Sequence, residues 1–404
     1  MTIHDLPIGR RIARLRARRR MTQQMLADRL GKSKSWVDKV ERGVRALDRF
    51  TVIQDLAAVL RVDPVALLGR DALPSQAARA AVHGVDGVRA ALARYDTALN
   101  GPQVRAAPPV GELGRRVRHA WLTYQHADYP QLLRMLPELL GNTQHAHAHP
   151  SGGGDGDGAA ELLVQAYRIA SSVLVKLGEG DLGWFAADRA MSVATGDPLL
   201  VAAATVSLGQ ALRVLDRPRP ALSVTIAAAY RTVPRVWRDG PPRDLALRGT
   251  LLIQAALAAA GFGDECSARE LVDQAAGIAD EIGEGHDRHW TSFGPTAVEL
   301  ARVATAVELG AGGEAVMLHE KVVGADDWRR LPAEHRAAYL LDATRAYLRV
   351  GDPLAAGRAL VEADRTAPAE VRLRPVARTL LTDLTRHGPV PADVARLATA
   401  LGIG

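Results

Sequence analysis

The chain has 404 residues, a net charge of +6 and 48% hydrophobic residues. Such a length exceeds one ordinary core, and such an apolar content excludes a disordered chain, so two or more globular units are expected. The single cysteine, Cys266, excludes an intramolecular disulfide framework and a thiolate metal cluster, and it points to a reducing, cytoplasmic compartment.

Aromatic residues are only 4% of the chain. With abundant Ala, Leu and Arg, this favours helices packed through small side chains over a β-rich fold. The N-terminus lacks the apolar core of a signal peptide. The longest apolar stretches, such as Leu251–Ala260, are too short and too rich in alanine to span a bilayer, so no membrane partner is expected. The positive charge is concentrated at one end. Residues 1–70 hold 16 Lys/Arg against 7 Asp/Glu, and the remainder holds 35 against 38. A basic unit attached to a near-neutral body suits binding to a phosphate backbone.

In chain order, Ile8, Ile12 and Leu15 recur at helical spacing, with Arg10, Arg11, Arg14, Arg18 and Arg19 largely on the other faces. Thr22 stands where an N-cap is needed for a helix Gln23–Leu30, and Gly31 ends that helix. Ser33 can cap a second helix, Lys34–Arg42, whose Val37 and Val40 point inward, and Gly43 stops it. Two helices joined by a short turn that begins with glycine form the geometry that presents a second helix to the DNA major groove.

The segment TQQMLADRLGKSKSWVDKVERG (Thr22–Gly43), followed by an apolar helix Thr51–Leu60 and a closing helix Arg61–Gly69, resembles the phage-repressor type of helix-turn-helix, the xenobiotic-response-element family. The resemblance implies a five-helix domain over residues 1–70 that binds double-stranded DNA. It places Ser33, Lys34, Ser35 and Lys39 on the base-reading face. Lysine donates to guanine and serine serves several bases, so a guanine-containing half-site is expected. Gln23, Trp36, Arg42, Arg45 and Arg49 are assigned to the DNA backbone, with a neighbouring side chain as the alternative for Gln23 and a structural role as the alternative for Trp36. Arg16 and Glu41 match a structural ion pair. A homodimer on an inverted-repeat operator is implied, because one recognition helix reads few base pairs.

Residues 71–113 read as a connector with a helix around Val88–Leu99, punctuated by Gly84, Gly87, Gly101 and Pro102. Residues 114–404 read as amphipathic helices throughout. The turn residues Asp181, Asp216, Gly263, Gly310 and Gly351 are each followed five positions later by an alanine: Ala186, Ala221, Ala268, Ala315 and Ala356. The best copy runs from Leu340 to Pro368, with Tyr347, Leu360 and Ala363. This pattern resembles a degenerate tetratricopeptide-like α-solenoid of about five or six helix pairs, so the fold class is all-α. Residues 142–158, rich in glycine and histidine, read as a flexible loop within it. Alternate histidines on a tether (His145, His147, His149) rarely close a metal site, and no metal or cofactor is expected.

The chain has no phosphate-binding loop, nucleophile elbow or zinc-protease motif, so an enzyme is not expected. A helix-turn-helix followed by such repeats resembles peptide-sensing regulators and actinobacterial regulators. The arginine- and alanine-rich composition and the segments LGEGDLGWFAADRA and FGPTAVELARVATAVELG favour the second group. The effector is then a small molecule, a peptide or a partner protein. The chain has only two asparagines, Asn100 and Asn142, which weighs against the peptide. Trp121, Tyr124, Tyr167, Trp184, Tyr230, His289, Trp290 and Phe293 are the candidate pocket residues. The alternative function is a scaffold tethered to DNA whose repeats recruit another protein.

Overall fold

The computed structural model describes residues 8–19, 21–43, 50–60, 62, 67, 76–94, 108–149, 155–231, 242–285, 289–325, 327–386 and 390–403, and among these every regular element is helical. The chain divides into two compact units, one of residues 1–79 with 374–404 and one of residues 80–373. The sequence, by contrast, draws its boundaries after residues 70 and 113 on composition and turn signals.

The first unit opens with α1 (Ile8–Arg18), α2 (Gln23–Leu30), α3 (Lys34–Glu41) and α4 (Phe50–Val59). Ile12, Leu26, Val37, Val40, Leu56 and Leu60 form its core, each almost fully buried. The starts of α2 and α3 have a physical cause. The Thr22 hydroxyl accepts the Met25 amide at 3.1 Å, and the Ser33 hydroxyl accepts the Trp36 amide at 3.1 Å. Gly31 adopts φ 62° at the end of α2, and the Lys32 amide donates back to the Ala27 carbonyl at 2.9 Å.

Gly9 seats α1 on α3. A Cβ there would lie 2.2 Å from the Val40 carbonyl oxygen. The sequence places Arg11 among the outward arginines, and this is corrected. Arg11 is 8% exposed, and its guanidinium donates to the Leu67 carbonyl at 2.6 Å. A long side chain can reach across the unit to satisfy a carbonyl there, which helical spacing does not reveal. Most of the expected closing helix Arg61–Gly69 lies outside the described residues. The unit also contains α19 (Pro375–Arg386) and α20 (Ala392–Ala400), which pack on each other.

The second unit contains most of α5 (Gln76–Leu92) and then six helix pairs. These are α6 (Val110–Gln125) with α7 (Tyr129–Ala148), α8 (Asp155–Lys176) with α9 (Gly180–Val193), and α10 (Pro198–Val214) with α11 (Pro218–Arg231). There follow α12 (Pro242–Ala260) with α13 (Glu265–Ile282), α14 (Pro295–Leu309) with α15 (Gly312–Val323), and α16 (Ala333–Arg349) with α17 (Pro353–Thr366). The short α18 (Pro368–Arg372) closes the series. The first helix of every pair also touches the first helix of the next, so α6, α8, α10, α12, α14, α16 and α18 form one layer. The sixth pair returns to the first, and α16 touches α6.

All six pairs turn in the same way. Ala127, Gly178, Asp216, Gly263, Gly310 and Gly351 are left-handed, with φ between 57° and 86°. The amide after each donates five residues back, to Thr123, Leu174, Leu212, Ala259, Ala306 and Tyr347, at 2.9–3.0 Å. This is the helix-ending motif in which a left-handed residue satisfies carbonyls otherwise left open. Ala221, Ala268, Ala315 and Ala356 lie five residues beyond their turns and are fully buried. The second pair differs from the sequence expectation, because its left-handed residue is Gly178 and not Asp181. The crossing residue is therefore Gly183, where a Cβ would come within 2.8 Å of Val175 Cγ2.

Two other expectations are corrected. The connector helix is Gln76–Leu92, and Gly84 and Gly87 do not break it. They let α5 lie close to α7, since a Cβ would meet Leu133 Cβ at 2.6 Å from Gly84 and Pro137 Cγ at 3.3 Å from Gly87. The expected loop 142–158 is helical over Asn142–Ala148 and again from Asp155, with residues 150–154 outside the described set. Thr143 and Ala146 explain the first part. Both are buried, and Ala146 packs with Leu113 and Ala159.

Candidate functional site

The short helix α3 has two faces. Val37 and Val40 are buried, while Ser33, Lys34, Ser35 and Lys39 are exposed. The Ser33 oxygen caps the helix, which leaves its O–H as a donor. Arg42 is exposed and pairs with Asp38 at 3.2 Å. Trp36 is half-buried against the core of the unit. Arg45 and Arg49 lie outside the described residues.

Beneath this face, Arg16 holds both oxygens of Glu41, at 2.6 and 2.9 Å, and donates to the Met21 carbonyl at 2.7 Å. The Gln23 amide donates to the same carboxylate at 2.8 Å. Arg16 is raised above its ordinary pKa, first by its hydrogen bond to Glu41, so its guanidinium is held charged. One planar fork thereby ties α1, the start of α2 and the end of α3 together, which fixes the angle between α2 and α3. Gln23 takes the side-chain partner that the sequence allowed.

Residues 7–68 match the family described as a helix-turn-helix domain. Residues 7–68 therefore form a helix-turn-helix domain. No curated protein matches the chain. A solved structure of Bacillus thuringiensis PlcR in complex with the peptide PapR7 and DNA is similar over 68% of this chain and 94% of its own, with 14% identity and a TM-score of 0.27. That score is too low to define a shared arrangement. Relative to its helix-turn-helix domain, the chain carries a much longer helical body.

Within that body the eight candidate pocket residues do not form one group. Trp121, Tyr124, His289 and Trp290 come together. Trp121 stacks on Trp290 at 5.8 Å with 5° between planes, and it meets Tyr124 edge-on at 5.8 Å. The Trp121 indole donates to Gln165 at 3.0 Å. Arg168, 2% exposed, lies 5.2 Å from the centre of the Trp121 ring and donates to Gln165 at 2.9 Å and to the His289 carbonyl at 3.1 Å. Phe293 is core, pressed against Gly249, where a Cβ would be 2.0 Å from the ring. Tyr167 is buried and accepts from Gln144 at 3.0 Å. Trp184 and Tyr230 stand exposed on α9 and α11, at 43% and 52%.

The layer of first helices carries further charged groups that sequence reasoning missed. Arg213 donates to Gln254 at 3.0 Å, and Arg345 donates to Glu308 at 2.7 Å and Asp342 at 3.2 Å. Burial lowers the pKa of Arg213. Burial would raise that of Glu308, but Arg345 outweighs it and keeps the carboxylate below its ordinary range. Each of these groups sits on a helix that reads as amphipathic in isolation, and only the meeting of distant helices reveals its partner. A separate cleft of about 430 Å³ between α6 and α7 is lined by Glu112, Arg115, Arg116 and His119 among others.

Proposed function

We propose that the protein is a sequence-specific DNA-binding transcriptional regulator that works as a homodimer on an inverted-repeat operator in the cytoplasm. The observation that carries this reading is the exposed row Ser33, Lys34, Ser35 and Lys39 on a helix fixed from behind by the Arg16–Glu41–Gln23 fork. Donors on a rigid helix suit base edges, and nearby cations such as Arg42 suit phosphates. The helical array is then the sensing part, and the Trp121–Trp290 neighbourhood with Arg168 and Gln165 suits a small molecule. No catalytic role is assigned. Among the described residues, no helix is long and apolar enough to cross a membrane.

The test is binding to duplexes from the upstream region of the protein's own operon across a series of salt concentrations, with Lys34→Ala combined with Lys39→Ala. The expected result is lost preference for that region with a residual salt-dependent affinity from the phosphate contacts. Unchanged preference overturns the base-reading assignment. A second reading, recruitment of a partner protein, is favoured by Trp184, Tyr230, Met317 and Leu354, all exposed on the second helices of their pairs.

A further inference from the structure

Where the sixth pair returns to the first, five helices contribute polar groups to one enclosed place. Lys176 ends α8, Glu334 begins α16, and Glu370 lies in α18. Tyr124 and Tyr129 come from the last turn of α6 and the first turn of α7. The Lys176 ammonium pairs with Glu334, lies 2.7 Å from a Glu370 oxygen, and sits 5.7 Å from the centre of the Tyr124 ring. The Tyr124 hydroxyl donates to Glu334 at 3.3 Å, and the Tyr129 hydroxyl donates to Glu370. His335 Nδ1 lies 2.6 Å from the other oxygen of Glu334. Glu370 and Tyr129 are fully buried, Glu334 is 4% exposed, and the Lys176 side chain is 11% exposed.

Two buried carboxylates and an aromatic face around one ammonium form a cage with the chemistry that recognises an alkylammonium ion. Packing alone does not call for it, since apolar side chains of similar volume would fill the place without desolvating charge. Charges this deep hold only when their partners are in position, so the cage couples the start of the array to its end. We propose that the cage is an alkylammonium site that the chain fills with its own Lys176, and that filling it clasps the sixth helix pair to the first. The inference goes beyond DNA binding and does not depend on it.

The experiment is hydrogen exchange on the full chain carrying Lys176→Ala, with and without n-propylammonium, which replaces the atoms removed. Exchange in residues 129–148, 333–349 and 368–372 is expected to accelerate about tenfold or more, while residues 242–282 stay unchanged. Millimolar n-propylammonium is expected to restore protection, and n-propanol, of similar shape but uncharged, is not. No acceleration, uniform acceleration, rescue by both compounds or rescue by neither would overturn the proposal. If Lys176→Ala does not fold, Glu370→Gln keeps the volume and is read on the same segments. A confined acceleration supports the clasp, and its absence overturns it.

Discussion

In the N-terminal unit Lys34 and Lys39 stand in solvent on a helix whose opposite face is buried, whereas in the array Lys176 is enclosed by Glu334 and Glu370. The same residue type thus does two different jobs. An exposed lysine adds little to stability and remains available to a ligand, while an enclosed one is tied to its partners. The helix-turn-helix domain keeps the Arg16–Glu41 fork behind the exposed face of α3 and leaves that face open. The array places charges such as Lys176, Glu334, Arg345 and Glu308 in its layer of first helices, while apolar groups such as Met317 and Leu354 stand exposed on second helices.

That contrast can be broken first at Lys176. Lys176→Met strands two buried carboxylates and should destabilise the array by about 3–5 kcal/mol. Urea unfolding followed through the array's tryptophans measures this, and a loss below about 1 kcal/mol would make Lys176 equivalent to a surface lysine.

Acid should act on the same place. Burial would raise Glu334, but His335 and Lys176 outweigh it and hold the carboxyl well below its usual range. A depressed carboxylate contributes stability above its unfolded value, and that contribution is lost as pH falls below it. The unfolding midpoint should therefore decline below about pH 4.5. Glu334→Gln should flatten that decline. An equally steep decline in the variant would contradict the assignment.

Smaller effects sharpen the other half of the comparison. Gly9→Ala places a methyl group against the Val40 carbonyl and should destabilise the helix-turn-helix domain by about 1–3 kcal/mol. Thermal unfolding of that variant should leave the array's transition in place. Thr22→Ala removes the cap of α2 and should lower stability by about 1 kcal/mol. A neutral result would mean that the Met25 amide finds water at no loss.

What the sequence made legible was local. Thr22, Gly31 and Ser33 announce their helix ends because capping is decided within four residues. Gly263, Gly310 and Gly351 announce their turns because glycine adopts positive φ at least cost, whereas Ala127 ends its helix in the same way without that signal. The exposed row on α3 follows from the burial of Val37 and Val40. Gly178 is less legible than Asp181, because Asp181 resembles a turn residue while already lying inside α9.

Contacts between distant residues stayed hidden. Gly9 reads as a poor helix former until Val40 is seen against it, and Gly84 reads as punctuation until Leu133 is. Arg11 reads as one more outward arginine in an arginine-rich helix. Lys176, Glu334 and Glu370 each lie in an ordinary helical segment, and Lys176 is more than 150 residues from both carboxylates in sequence. The histidine-rich segment reads as a loop by composition, yet buried Thr143 and Ala146 hold its first part in α7 as far as Ala148.

The central claim is that the exposed face of α3 reads base edges. Its most direct measurement is selection of DNA by the full chain from a pool of random duplexes, set beside the variant carrying Lys34→Ala and Lys39→Ala. The native chain should select one short motif with its inverted copy, and the variant should lose or relax that motif, with each lost base contact weakening discrimination by about 1–3 kcal/mol. Enrichment of no motif, or of the same motif by both proteins, would contradict it.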